Sequence, residues 1–173
     1  MTLQYPLQCL KHQTISDFEV FVIGDGVPDE LKPRLLDLVS EDERFRFIDH
    51  PKHSRRGEPH RHEALLIASG RIVCYLCDRD LWLPDHVEQM LKLLSTADYA
   101  HSLPLHVLPG GDFRTFPVDL GFEGYRHMML TMNDNRIPFS CFAHTLEAYH
   151  SLKEGWTTTP DNYWTDLYTN HRL

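Results

Sequence analysis

The chain predicts an α/β architecture, a mainly parallel sheet flanked by helices. Short apolar runs rich in Val, Ile and Phe alternate with helical segments of about ten residues, which is the pattern of βαβ units. Gly, Pro and Asp punctuate the points where the runs stop. The 173 residues suit one domain, 1–173, and 42% hydrophobic with 11% aromatic residues can fill its core.

Leu3, Leu7 and Leu10 recur at helical spacing and predict a first helix that fades at His12-Gln13-Thr14. The run 18–23 predicts a strand stopped by Gly24-Asp25-Gly26. A helix follows over 28–38 with Leu31, Leu35 and Leu38 on one face; Pro33 is tolerated near its start. The alternation in 45–48 predicts a short strand, and 50–61 reads as a polar loop. A helix over 59–69 with Gly70 as its stop precedes the strand 72–77. The span 84–94 reads as a helix, 99–102 as a strand, 139–144 as a late strand, and a last helix runs to Lys153. The stretch 103–136, rich in Gly, Pro and Asp, has no clear periodicity.

Composition excludes several classes. A net charge of −8 argues against a general nucleic-acid or anionic-membrane surface. No run approaches the roughly 18 apolar residues of a membrane helix, and the N-terminus lacks the pattern of a secretory signal, so a cytoplasmic location is expected. Cys74 and Cys77 are three apart in a strand and point to opposite faces, so that C-x-x-C reads as buried core thiols; with Cys9 and Cys141 it makes no disulfide framework. His50, His53, His60 and His62 match no standard zinc spacing, and His62-Glu63 lacks the second histidine of H-E-x-x-H because position 66 is Leu66. They read as exposed loop histidines.

The chemistry concentrates after the strand at 72–77. Asp78 and Asp80 stand just past its carboxyl end, where ligands bind in open α/β sheets. Paired hard oxygen ligands there suit Mg²⁺ or Mn²⁺ holding a diphosphate. Taken alone the pair equally describes acids favoured by a helix N-terminus, and Asp25 alone is an ordinary Asp-Gly turn residue.

Three passages taken together resemble the family 2 glycosyltransferases with their GT-A, Rossmann-like nucleotide-sugar-binding fold. Residues 10–26, from Leu10-Lys11-His12-Gln13-Thr14 to Glu19-Val20-Phe21-Val22-Ile23-Gly24-Asp25-Gly26, are similar to "S-L-x-x-Q-T-x-x-x-x-E-V-x-V-x-D-D-G", with Gly24 where the first aspartate often stands. Residues 57–73 are similar to "G-x-x-x-A-R-N-x-A-L-x-x-A-x-G-x-x-I". Asp78-Arg79-Asp80-Leu81-Trp82-Leu83-Pro84-Asp85-His86-Val87-Glu88 is similar to "D-x-D-D-x-W-x-P-x-H-L-E". The likeness runs from about Leu7 to Tyr168 and implies a nucleotide-sugar half, 1–102, and an acceptor-side half, 103–173.

The resemblance implies a metal-dependent, inverting transfer of a sugar from a nucleotide-sugar, UDP-linked, to an acceptor hydroxyl on a sugar, lipid-linked sugar or protein. Asp25 would accept the uracil N–H, Asp80 would ligate Mn²⁺ or Mg²⁺, and Asp78 would contact the ribose or the metal shell. Of Arg55, Arg56 and Arg61, Arg61 is the best match for a diphosphate contact. The general base is Asp166 or Asp161, and Asp166 fits the family pattern better. Asp85 fits the N-terminal acid reading and Trp156 that of a partly buried anchor for the preceding helix.

The family's usual first strand and loop, "V-S-V-I-I-P-T-Y-N", is missing, so the likeness is to an N-terminally truncated domain. Its loss would leave a strand edge unpaired. Three explanations stand: a start assigned too far downstream, a homo-oligomer that completes the sheet, or a catalytically inactive relative that binds a nucleotide-sugar or a partner. A lipid-linked acceptor would place the chain peripherally at the inner face of a membrane.

Overall fold

The computed structural model describes residues 2–132 and 135–173. The elements follow the alternation of the sequence. Helix α1 (Gln4–Lys11) leads to β1 (Val20–Asp25), a 3₁₀ turn (Asp29–Leu31), α2 (Lys32–Ser40), β2 (Phe45–His50), α3 (Glu58–Leu66) and β3 (Ile72–Cys74). Helix α4 (His86–Leu93), β4 (Tyr99–His101), β5 (His106–Val107), β6 (Phe113–Arg114) and α5 (Glu123–Thr131) come next. A 3₁₀ turn (Phe139–Cys141), β7 (Phe142–Thr145), α6 (Leu146–Ser151) and α7 (Thr165–Asn170) complete the order.

β1 and β2 pair in parallel from Val20↔Phe45 to Asp25↔His50. That register brings Asp25 and His50 side by side at the carboxyl ends of both strands, the end where an α/β sheet holds its ligands. A second sheet has the order β3-β7-β4, with β7 antiparallel to both neighbours. β3 and β4 therefore run in the same direction, and β7, from the C-terminal part of the chain, is their central strand. Among the described residues, β1 and β3 each have one edge without a strand partner.

The core forms around aromatic and aliphatic side chains from several elements. Phe142, Leu167 and Ile137 are essentially inaccessible and pack with Tyr75, Tyr149 and Trp156 under α6 and α7. Leu7, Leu10, Leu35, Val39 and Phe45 make a second cluster beneath α1 and α2, against which Leu76 and Trp82 pack. A hydrogen-bond chain crosses the first cluster. Trp156 Nε1–H donates to the Tyr75 hydroxyl (2.9 Å), which lies 2.7 Å from His144 Nε2, while His144 Nδ1 lies 2.9 Å from the Thr145 carbonyl. Only one tautomer satisfies both ends: Nδ1–H donates and Nε2 accepts from Tyr75.

Several boundaries differ from those expected. α3 ends at Leu66 rather than 69, so Gly70 lies in the connection and is not the residue that stops the helix. Strand pairing in 72–77 covers only Ile72–Cys74, because the antiparallel register sets the residues after Cys74 against the start of β7 and the 3₁₀ turn before it, where the ladder ends. The expected helix 28–38 is split into the 3₁₀ turn and α2, whose buried residues are Leu35 and Val39; Leu31 is exposed. The unassigned stretch contains the exposed β5–β6 hairpin and α5; Asn133 and Asp134 lie outside the described residues. Trp156 is 3% exposed, a full core residue rather than a partly buried anchor.

Candidate functional site

The backbone beyond β3 carries Asp80 back toward the 3₁₀ turn at 139–141. Ser140, itself buried, bridges the two segments: its Oγ accepts the Cys77 N–H at 2.9 Å and donates to Asp80 Oδ2 at 2.7 Å. The Ser140 carbonyl also accepts Trp82 Nε1–H at 2.7 Å. Trp82 in turn stacks on His86 with ring centroids 4.3 Å apart. The Trp and His of the passage that follows the acidic pair thus brace the loop carrying Asp80. Asp78 faces solvent beside Arg79, with 67% of its side chain exposed.

Three carboxylates act on the Cys77 thiol, two from the loop that follows it and Asp166 from α7. Burial raises the pKa of that thiol and Ser140 opposes the rise, while the negative charges of Asp80, Asp166 and Asp78 add to it. Asp166 sits in the first turn of α7, and burial raises its carboxyl pKa against the opposing pull of Arg61 and Arg56. Its partner Arg61 comes from α3 and lies over the faces of Phe139 (5.0 Å) and Trp156 (5.2 Å). Burial depresses the Arg61 pKa and the charges of Glu58 and Asp166 counter this. Its Nη1 is buried without a hydrogen-bond partner among the described residues. A buried, incompletely paired guanidinium is a cation that an anionic ligand would satisfy.

Glu58, at the start of α3, is fully buried and ties the two sides of the site together. It accepts the Arg56 N–H (3.0 Å), the Thr159 N–H (3.3 Å) and the Thr165 hydroxyl (3.3 Å). Burial alone would raise its pKa; the hydrogen bonds, including one from its own N–H, hold it below the usual carboxylate value. It thereby fixes the segment that delivers Asp166. Neither Glu58 nor Ser140 stood out in the sequence. An acid at the first helical position reads as a macrodipole complement, and a serine before Cys141 carries no local signal.

Asp25 ends β1 as expected and has 20% of its side chain exposed. Its Oδ1 accepts the His53 N–H at 2.6 Å, and its Oδ2 pairs with Lys52. Burial would raise the carboxyl pKa, but the His53 N–H and the Lys52 ammonium leave it lowered. Gly57 closes the other side at φ +68°, and a Cβ there would lie 3.2 Å from Asp25 Cγ, so glycine is required for both conformation and space. A shallow depression lined by Gly26, Val27, Lys32 and His50, about 380 Å³, adjoins the same turn.

Asp161 is solvent-exposed and pairs with Arg55 Nη1 at 3.0 Å, which sets both residues apart from the half-buried Asp166 and Arg61. The four histidines are not exposed loop residues. His50 and His60 each have 13% of the side chain exposed and His53 18%. His62 is half-buried with Nδ1 2.8 Å from the Tyr149 hydroxyl. They lie below the surface because the loop folds between the end of β2 and α3.

For a divalent cation, the donor set fits. Asp80 engages Ser140 through Oδ2 only, which leaves Oδ1 without a partner among the described residues, and Asp78 is open beside it. Two carboxylates at a strand end are hard oxygen donors of the kind Mg²⁺ and Mn²⁺ take. Among the described residues, no helix is long and apolar enough to cross a membrane.

The sequence model described as "Glycosyl transferase family 2" matches residues 2–154. The chain is also 30% identical over 87 residues to "Putative glycosyltransferase EpsH" of Bacillus subtilis (strain 168). That match spans 50% of this chain and 24% of the relative.

Proposed function

This chain belongs to glycosyl transferase family 2, and from that premise we propose that it transfers a sugar from a UDP-linked donor to an acceptor hydroxyl with inversion at the anomeric carbon. The observation that carries the reading is the acidic pair beyond the carboxyl end of β3, with Asp80 held by Ser140 at 2.7 Å and Asp78 open to solvent. The negative charge of Asp166, from the far end of the chain, reaches the same strand end at Cys77.

Asp80 and Asp78 would hold Mn²⁺ or Mg²⁺, which supplies Lewis-acid stabilisation to the departing diphosphate. Ser140 keeps the Asp80 carboxylate in one orientation, and Arg61 offers its unpaired Nη1 to a phosphate oxygen. Asp25 would accept the uracil N–H once Lys52 moves aside. Asp166 takes the acceptor hydroxyl proton. The acceptor oxygen then bonds to the anomeric carbon as the bond to the diphosphate breaks, and inversion follows from attack on the opposite face. A carboxyl pKa raised by burial suits that role, because a base works best when its pKa approaches the working pH. Its backing by Arg61 also supports Asp166 over the exposed, Arg55-paired Asp161.

A non-catalytic nucleotide-sugar-binding relative is the second reading, and the engagement of both Asp25 oxygens favours it. Thermal unfolding with UDP, with and without Mn²⁺, tests the site, since a ligand of the native state raises stability by mass action. A Mn²⁺-dependent shift lost in Asp80→Ala is expected; no shift at saturating UDP removes both readings. Release of UDP from donor in wild type but not in Asp166→Asn then separates the enzyme from the binding module. A second copy adding a strand to the open edge of β1 accompanies the proposal and predicts a dimer in sedimentation.

A further inference from the structure

The β1–β2 register leaves His50 as the last residue of β2, facing the first turns of α3. There it meets His60 and, one helical turn on, Glu63. One ligand atom from each of the three can be chosen so that all lie within 4.8 Å of one another. His50 Nδ1 is 3.8 Å from Glu63 Oε2, and the two imidazoles stack with centroids 4.0 Å apart and planes 3° from parallel.

The ring nitrogens are the telling feature. His50 Nε2 and both nitrogens of His60 are buried and lack a hydrogen-bond partner among the described residues. Buried polar atoms without partners are costly and rare, and a bound ion is one recognised way in which they are satisfied. Here three such atoms lie within two stacked rings. His53 does not add a ligand: its Nδ1 accepts the Arg55 N–H at 3.1 Å and its Nε2 meets Thr158 Oγ1 at 3.3 Å. On the far side, His60 Nε2 is 3.6 Å from Asp25 Oδ1. A carboxylate behind a ligating histidine is the usual device that fixes its tautomer and aim.

We propose that His50, His60 and Glu63 form a Zn²⁺ site that fastens the end of β2 to α3 beside Asp25. Two imidazoles and one carboxylate, with water completing the shell, are a donor set for Zn²⁺ and not for the hard ion expected at Asp78 and Asp80. Glu63, 61% exposed at its side chain, leaves an entry path from solvent. Zinc–nitrogen bonds of about 2.0–2.1 Å place neighbouring ligand atoms roughly 3.4 Å apart in a tetrahedron. Parallel rings do not aim both lone pairs at one point, so one imidazole tilts on binding. If His60 ligates through Nδ1, its Nε2–H turns to Asp25, and zinc occupancy sets the orientation of that carboxylate. The spacing that matched no zinc motif is a cross-element set, one histidine from a strand end and a His-x-x-Glu from a helix.

The test is independent of sugar transfer. Tag-free full chain is titrated with Zn²⁺ against a colorimetric chelator at neutral pH, and with Co²⁺ while visible d–d absorption is recorded. One Zn²⁺ per chain and a tetrahedral Co²⁺ spectrum are expected, with millimolar Mg²⁺ failing to compete. His50→Gln should abolish the Co²⁺ band. Glu63→Gln, at an exposed position that leaves folding intact by circular dichroism, should weaken Zn²⁺ by at least the roughly 10–100-fold that loss of an outer-shell partner costs. Asp80→Asn should bind Zn²⁺ as wild type does. No binding by wild type, or equal affinity in wild type, Glu63→Gln and His50→Gln, overturns the site. So does a loss confined to Asp80→Asn.

Discussion

Replacing Ser140 by Ala removes the hydroxyl that joins Cys77 and Asp80, in the loop after β3, to the 3₁₀ turn before β7. The backbone carbonyl remains, so the Trp82 indole keeps its 2.7 Å acceptor and the change is confined to Oγ. Two bonds are lost: the donation to Asp80 Oδ2 at 2.7 Å and the acceptance from Cys77 N–H at 2.9 Å. A hydrogen bond to a charged group contributes about 1.5–3 kcal/mol, and a buried N–H left unsatisfied costs about 1–3 kcal/mol. Asp80 is partly accessible and recovers water, which moves the first figure to its lower end. The expected loss is therefore about 2.5–4.5 kcal/mol in urea unfolding with an unchanged m-value. Mn²⁺-dependent UDP binding should also fall by about 10–100-fold, the usual effect of removing a group that orients a metal ligand. The double variant Ser140→Ala/Asp80→Ala measures the coupling directly, since the penalties of contacting residues are not additive. A stability change under about 0.5 kcal/mol, the scatter of ordinary surface substitutions, with unaltered Mn²⁺ affinity, would refute the view that Ser140 positions Asp80.

Two further predictions concern the core and the turn at Asp25. His86 and His144 are buried, and burial lowers both imidazoles to about 4. The unfolded chain, with imidazoles near 6.5, then binds more protons than the native state between those values, so stability is full above about pH 6.5 and declines as pH falls toward 4. Each contributes about 3 kcal/mol to that decline; urea unfolding at steps from pH 7 to 4 should show it, His144→Gln should reduce it, and a flat profile would contradict the burial argument. Gly57→Ala places a Cβ at φ +68° and 3.2 Å from Asp25 Cγ. It should cost about 1–2 kcal/mol through the left-handed conformation and weaken UDP binding, and calorimetry showing neither effect would mean the loop relaxes freely.

The sequence read well wherever a decision is local. An apolar run placed β1 and an alternating one placed β2, because the face of a strand that packs in a sheet must be apolar wherever it sits in the chain. The acidic pair after the 72–77 run was legible for the same reason, since its position relative to a strand end is a property of neighbouring residues. Asp25 at the end of β1 was readable too, although the strand runs through Gly24-Asp25 and the turn begins only at Gly26. Family ancestry came from three such local passages in the right order.

Other features depended on which distant segments meet. Asp166 and Asp161 are five residues apart and equally acidic, and only packing put the first beside Arg61 and the second in solvent with Arg55. The histidines looked like loop residues because no spacing within 50–62 describes a cluster completed by Glu63 across a helical turn. Glu58 and Ser140 were silent in sequence for the same reason: their partners are Thr159, Thr165 and Asp80, about 60 to 107 residues away. Residue type and local pattern thus determined the elements and the acids at their ends. The tertiary structure decided which acids are buried, paired or free, because desolvation and hydrogen bonding are set by neighbours in space rather than along the chain.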